Sequence, residues 1–343
     1  LILFQWCNVA IEIPSQNWVD FYKRPENTIA VVFIGNSHDL NAFQPRIVND
    51  LLPVYSYMIG VPGENICISY FELKEFLKYQ KPKIVVLETF TLNLSQPIGT
   101  ALIFPFTDAG VLNLNKLAVD YRFLTFEQAY SVFPILRTRI DWNSPSDFFI
   151  KMANSIKPKT MQTSSTLGAN PDPEPMSDIE FSEIPNLPEI ATNNFSDENK
   201  KYLDKFVELC EHNGIQLLLV SSPMLKLTGD FFTYYTPFDV DTYVEKNQLN
   251  YLYIDDSAYT KIHFANPDHL SVFGSIIATV DVAYKIAELM HINVDQKKMD
   301  YYGSLIFSDF DFSTDGDNYR LTLFPENQNK DLYYKYVLMD NDY

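Results

Sequence analysis

Residues 32–38 read Val-Phe-Ile-Gly-Asn-Ser-His, an apolar run that stops at a glycine and presents a serine. A serine hydroxyl is a weak nucleophile near neutral pH and needs a base beside it. The chain holds five histidines, at 38, 212, 263, 269 and 291. His269 is the candidate base. It sits in Asn266-Pro-Asp-His-Leu270, ahead of Gly274 and of a long segment with helical apolar spacing. His212 and His291 fall near predicted helix ends, where a solvated or charge-favoured role is expected. His263 precedes the motif, with no serine-bearing turn facing it. His38 adjoins Ser37 and is expected to point elsewhere in the loop.

Ser37 and His269 are more than two hundred residues apart, so the fold must bring them together. Ile29–Ile34, Tyr55–Ile59 and Lys83–Leu87 read as buried strands, with helices predicted over Gln44–Leu52 and Asn65–Tyr79. This strand–helix alternation predicts a parallel sheet with helices on both faces. In such a sheet, ligands sit outside the carboxyl ends of the strands, where Ser37 falls. Thr125–Ile140 has helical spacing interrupted by Pro134. Ser196 is a predicted N-cap for a helix that ends at Asn213-Gly214. Ile215–Ser221 and Tyr251–Ile254 are two further strands, and Leu270–Met290 is a long helix with Ile276, Val280, Ala283, Ile286 and Met290 on its inward face. His269 then stands on the same loop side of the sheet as Ser37.

Residues 160–199 contain eight acidic residues and neither Lys nor Arg, and read as an exposed insertion, a mobile loop or a lid. Ser304–Phe312 and Tyr319–Phe324 read as strands around a turn-rich linker, with a third possible over Leu332–Met339. The expected organisation is therefore an α/β domain over residues 1–295, carrying the acidic insertion, and a C-terminal β extension over 296–343. Asp311, Ser313, Asp315 and Gly316 have the spacing of half a calcium loop, but Thr322 stands where the bidentate Glu belongs, so a turn is the expectation.

The formal net charge of −18 argues against nucleic acid or an anionic membrane surface as direct partners. Cys7, Cys67 and Cys210 are widely spaced, with no Cys-x-x-Cys or Cys/His cluster, so a zinc site is not expected, and they give no disulfide framework. No cofactor or metal is expected. The segment Leu1–Ile13 is apolar but short of the roughly 20 residues that span a bilayer. It reads as the stub of a removed membrane anchor, in a fragment or processed form, or else as a covering segment of the core.

Gly35-Asn36-Ser37-His38, Gly60-Val-Pro-Gly63-Glu-Asn65, Pro82–Glu88 and Phe264–Gly274 occur in an order that resembles the SGNH/GDSL hydrolase superfamily. The chain is most similar to its bacterial branch tied to cell-envelope polysaccharide modification, distantly related to the teichoic-acid D-alanylation protein. The resemblance covers roughly residues 25–95 and 200–290. It implies a flavodoxin-like α/β/α sandwich and a serine esterase or O-acyltransferase acting on acylated sugar or envelope polymer. The implied location is extracytoplasmic, with a membrane tether through the missing N-terminal segment. It further implies Ser37 as nucleophile, His269 as base, and an oxyanion held by the Ser37 amide and by donors near Gly60 or Gly63. Asn93 is a weaker candidate for a side-chain donor.

One position departs from the pattern. The family carries Asp three residues before the histidine, and here that residue is Asn266. An amide lacks the charge that stabilises an imidazolium and can select the wrong tautomer. Three alternatives follow: Asp268 takes over, the site runs as a Ser–His pair, or the protein is a weak or inactive relative. The last alternative would make it a carbohydrate-binding or scaffold component of envelope biosynthesis.

Overall fold

A computed structural model describes residues 16–94, 103–110, 112–132, 166–170, 175, 196–224, 240–255, 259–304, 307–315 and 318–325. Five strands form one wholly parallel sheet: β1 (Val31–Ile34), β2 (Ser56–Ile59), β3 (Ile84–Glu88), β4 (Gln216–Ser221) and β5 (Asn250–Tyr253). Their order is β2-β1-β3-β4-β5. That is the flavodoxin-like arrangement, and the fold is the three-layer α/β/α sandwich expected from the sequence.

β1 to β4 are largely apolar runs because both faces of the sheet are covered there, while β5, at the edge, is only partly buried. On one side Val32, Ile34, Val85 and Leu87 pack with Ile68, Leu73 and Phe76 of α4 (Ile66–Phe76) and Leu203 and Phe206 of α7 (Asp197–His212). On the other, Val31, Phe33 and Val86 pack with Val48 of α3 (Pro45–Leu51) and with Ala278, Val282 and Ile286 of α9 (Val272–Met290). The Ser196 hydroxyl caps α7 by accepting from the Asn199 N–H at 3.1 Å, and Gly214 leaves it with φ +65°.

Several expectations are corrected. Residues Phe126–Val132 form a 3-10 helix rather than the start of an α-helix, and the rest of that prediction lies outside the described residues. Residues 166–170 of the acidic insertion are anchored rather than free. The Met58 N–H donates to Leu167 O at 3.0 Å, the Asn170 N–H donates to Leu40 O at 2.8 Å, and Ala169 is buried. Most of the insertion, Leu1–Ile13 and Leu332–Met339 lie outside the described residues.

The stretch read as a β extension from 296 begins as helix α10 (Gln296–Ser304). It is docked on the α/β body: Lys298 Nζ reaches Asp50 Oδ1 at 2.7 Å and the Tyr302 hydroxyl reaches Asp50 Oδ2 at 3.2 Å. Met299 is buried at the same junction. An antiparallel hairpin follows, β6 (Phe307–Asp315) with β7 (Asn318–Pro325). Asp311, Ser313 and Asp315 therefore lie within a paired strand, not in a calcium loop. Among the described residues no helix is long and apolar enough to cross a membrane.

Candidate active site

The strand order reverses between β1 and β3, the point at which a parallel sheet of this kind forms its ligand crevice outside the carboxyl ends. The serine comes from β1. After Ile34 the chain turns at Gly35, and Asn36 caps the short helix α2 (Ser37–Ala42) by accepting the His38 N–H at 3.0 Å. The Asn36 amide in turn donates to Glu64 O at 3.4 Å. Gly35 is required for space, since a Cβ there would lie 2.5 Å from Asp39 Cβ and 3.0 Å from Glu88 Cβ.

The histidine comes from the approach to α9. Phe264 and Leu270 form an antiparallel bridge that pinches residues 265–269 into a loop. His269 Nε2 lies 2.8 Å from Ser37 Oγ. The two residues singled out in the sequence are thus within hydrogen-bond reach.

Asn266 occupies the position the sequence marked as the departure, and its geometry removes one objection to it. Its Oδ1 accepts the backbone N–H groups of Asp268 at 3.2 Å and His269 at 3.0 Å, an Asx turn. Those two donors fix which end of the amide is oxygen. The same oxygen lies 3.1 Å from His269 Nδ1. An acceptor there requires Nδ1 to carry the ring proton, which leaves the Nε2 lone pair facing the serine. The amide therefore selects the tautomer a general base needs.

The Asx turn also supplies the tight turn that Asp268 requires to reach back. Asp268 Oδ1 is 3.3 Å from His269 Nδ1, and its side chain is 40% exposed. Burial acts to raise its pKa, but the hydrogen bond and charge of His269, with a contribution from His38, outweigh it and hold the carboxyl below its ordinary value. Asp268 is ionised at neutral pH. Orientation and charge, which one Asp would combine, are here divided between Asn266 and Asp268.

His38 does not point away. Its ring stacks on Phe90 with centroids 3.6 Å apart, lies 4.9 Å from the His269 ring, and brings Nε2 to 3.8 Å from Asp268 Oδ2. Burial, then the charge of His269, lower its pKa to about 3 against the opposing pull of Asp268, so the ring is neutral. The sequence contains no local signal for this contact. Phe90 belongs to a 3-10 turn after β3 whose first N–H groups are capped by Glu88, with Phe90 N donating to Glu88 Oε2 at 2.8 Å. His263 is structural: it is fully buried, and its Nδ1 accepts the Thr260 N–H at 2.9 Å in a capping box. His212 is the last residue of α7, and His291 caps α9 with φ +54°.

The expected oxyanion donors are distributed as follows. Gly60 follows β2 and packs directly on the Gly35 backbone, so the turn that carries Ser37 and the Gly60 turn are in contact. Gly63 is in a left-handed turn with φ +71°. Asn93 ends the 3-10 turn after β3, and its backbone N–H is committed to Phe90 O at 3.0 Å.

Beneath this crevice lies a group of buried acids that pattern reading did not single out. Glu64 and Glu72 are both fully buried, and the neighbouring Glu72 carboxyl adds to burial in favouring the protonated form of Glu64. Glu64 also accepts Val61 N at 2.9 Å and Ser69 Oγ at 2.5 Å, and Glu72 accepts Trp18 Nε1 at 2.9 Å. Burial raises the pKa of Glu72 to about 7 and that of Glu88 to about 7, and raises Asp39 and Glu64 well above the carboxylate range. In the unfolded chain these groups titrate near 4. The native state then binds more protons between about pH 4.5 and 7, so stability falls as pH rises through that window. Glu72→Gln should keep the Trp18 bond and remove one buried carboxyl whose pKa is raised. We expect the decline in Tm between pH 5 and 7.5 to become shallower, with a gain on the order of 1–3 kcal/mol at pH 7.5. Thermal unfolding by circular dichroism checks this, and an unchanged slope would mean that Glu72 does not titrate in this window.

No protein-family model matches the chain, and no curated protein matches its sequence. Among solved structures, it is similar to a provisionally assigned acylhydrolase from Bacteroides fragilis, at 12% identity and a TM-score of 0.34, with 78% of this chain and 90% of that one covered.

Proposed function

We propose that the protein is a serine esterase or O-acyltransferase. The observation that carries the reading is the 2.8 Å contact between Ser37 Oγ and His269 Nε2, in the tautomer fixed by Asn266. His269 Nε2 takes the hydroxyl proton as Ser37 Oγ attacks an ester carbonyl. The resulting tetrahedral oxyanion is met by the Ser37 amide and by N–H donors near Gly60 or Gly63, with Asn93 a further candidate. The imidazolium, faced by the Asp268 carboxylate, returns the proton to the departing alcohol and leaves an acyl-serine. Water or a sugar hydroxyl, deprotonated by the same ring, then releases the acyl group.

The substrate class, acyl esters of extracytoplasmic polysaccharide or cell-envelope polymer, rests on the family resemblance in the sequence. So does a location outside the cytoplasm with a membrane tether. The absence of a carboxylate at position 266 favours a second reading, a catalytically silent carbohydrate-binding component that keeps the cleft.

An activity probe separates the two. A fluorophosphonate should label the wild-type protein, and Ser37→Ala should abolish labelling while preserving the circular dichroism spectrum. A folded wild-type protein that resists the probe would establish the silent reading. Where labelling occurs, release of p-nitrophenol from p-nitrophenyl acetate, compared with acyl transfer to an added oligosaccharide, separates hydrolase from transferase.

A further inference from the structure

Three side chains at the crevice form a donor set that esterase chemistry leaves partly unused. One donor atom from each of His38, Asp268 and His269 lies within 4.8 Å of one from each of the others. Asp268 stands between the imidazoles, with Oδ1 at 3.3 Å from His269 Nδ1 and Oδ2 at 3.8 Å from His38 Nε2. We infer that these residues hold a divalent transition-metal ion of the zinc class, and that its binding silences the Ser37–His269 pair.

The chemistry of the donors supports the assignment. Two imidazoles and a carboxylate are a familiar zinc set, with bonds of about 2.0–2.2 Å and a fourth position left for water. In a tetrahedral site, bonds of that length put donors about 3.3–3.4 Å apart, close to the 3.3 Å found between Asp268 and His269. The other donors need to move inward by less than about 1 Å. The His38 ring is buried and turns Nε2 toward the Asp268 carboxylate. Phe90 stacks on that ring and holds its plane. Asp268 is 40% exposed, so an ion can enter from solvent. The sequence, with no Cys-x-x-Cys or Cys/His cluster, predicts no zinc site; these donors are imidazole and carboxylate, and folding brings residue 38 to residues 268 and 269.

Silencing follows from the two nitrogens of one ring. An ion on His269 Nδ1 takes that lone pair and moves the ring proton to Nε2. The Nε2–H then donates to Ser37 Oγ, and no lone pair remains to accept the hydroxyl proton. The silencing rests on the esterase reading above; the binding does not.

Isothermal titration of metal-free protein with zinc chloride tests the binding. One equivalent should bind to wild type and to Ser37→Ala alike, and His38→Gln and Asp268→Asn should each weaken binding by on the order of tenfold or more. Two variants guard against one that fails to fold, which circular dichroism would reveal. A wild-type protein that takes up no stoichiometric zinc, or two folded variants that bind as wild type does, would overturn the site. Hydrolysis of p-nitrophenyl acetate should fall with the same midpoint as binding and return with EDTA. Esterase activity that survives saturating zinc would overturn the silencing. Stoichiometric binding lost in both variants, in a protein inert toward the ester when metal-free, would keep the site and remove the esterase reading instead.

Discussion

Asp268→Asn should lower kcat for ester hydrolysis on the order of 100-fold with little change in KM, whereas Asn266→Asp should alter kcat by less than about tenfold. The asymmetry is counter to the sequence pattern that the chain resembles, in which the acid stands at the place of Asn266, and it follows from the loop. Asn266 Oδ1 already accepts two backbone N–H groups and faces Nδ1, so it fixes the loop and the tautomer. A carboxylate at 266 keeps those acceptors and adds a charge beside the one Asp268 already supplies. Removing the Asp268 charge leaves the imidazolium faced only by an amide. A unit charge about 3–4 Å away is worth about 4 kcal/mol at a surface-like dielectric. Discounted for the exposure of Asp268, about 3 kcal/mol remains, or roughly 100-fold in rate. Steady-state kinetics on the two variants decide the matter. A kcat within threefold of wild type for Asp268→Asn would mean that the pair runs on Asn266 alone. A large gain in Asn266→Asp would mean that position 266 is a degraded acid.

Gly60→Ala should destabilise the protein by about 3–5 kcal/mol and abolish probe labelling of any protein that still folds. Two costs combine. The φ of +141° lies where only glycine is at ease, a strain of about 1–3 kcal/mol for another residue. The added Cβ would also lie 2.2 Å from Gly35 O, a backbone atom that cannot step aside without parting the turns after β1 and β2. Because Gly35 is two residues before Ser37, the relief of that contact displaces the serine. Gly214→Ala is the control. Its φ is +65°, with nothing within 4 Å of the added carbon, so it should cost only about 1–2 kcal/mol and leave labelling intact. Urea unfolding of the pair measures the difference. Equal costs would show that the Gly60–Gly35 contact carries no weight.

The parallel strands were legible because each is a short run of apolar and aromatic residues bounded by turn residues, and for β1 to β4 burial on both faces leaves little else for such a run to be. The Ser37–His269 pairing was legible for a topological reason: both residues follow strands or precede helices on the side where loops gather. The 3-10 turn at Phe126–Val132 was not, since three-residue and four-residue periods are hard to distinguish over seven residues. Nor were the contacts of His38, because the first turn of a helix six residues long carries too little periodicity to say which way residue 38 faces. Asn266 was read as a loss because residue type alone reports a missing charge. That its oxygen would be pinned by two backbone N–H groups depends on the path of residues 265–269, which the Phe264–Leu270 bridge imposes. The buried acids stayed hidden for a related reason. Glu64 and Glu72 occupy turn and helical positions that look solvated until their full burial is seen.

The anchored segment at 166–170 has a consequence for the solution behaviour of the molecule. β2 is an outermost strand of the sheet, and its free rim of N–H and C=O groups would be a template for a strand of another chain. The bond from Met58 N–H to Leu167 O occupies a position on that rim, and the flanking chain carries acidic residues and prolines. Both are poor partners for an incoming strand. The anchored segment thus occupies part of the sheet edge and limits edge-to-edge association with another chain.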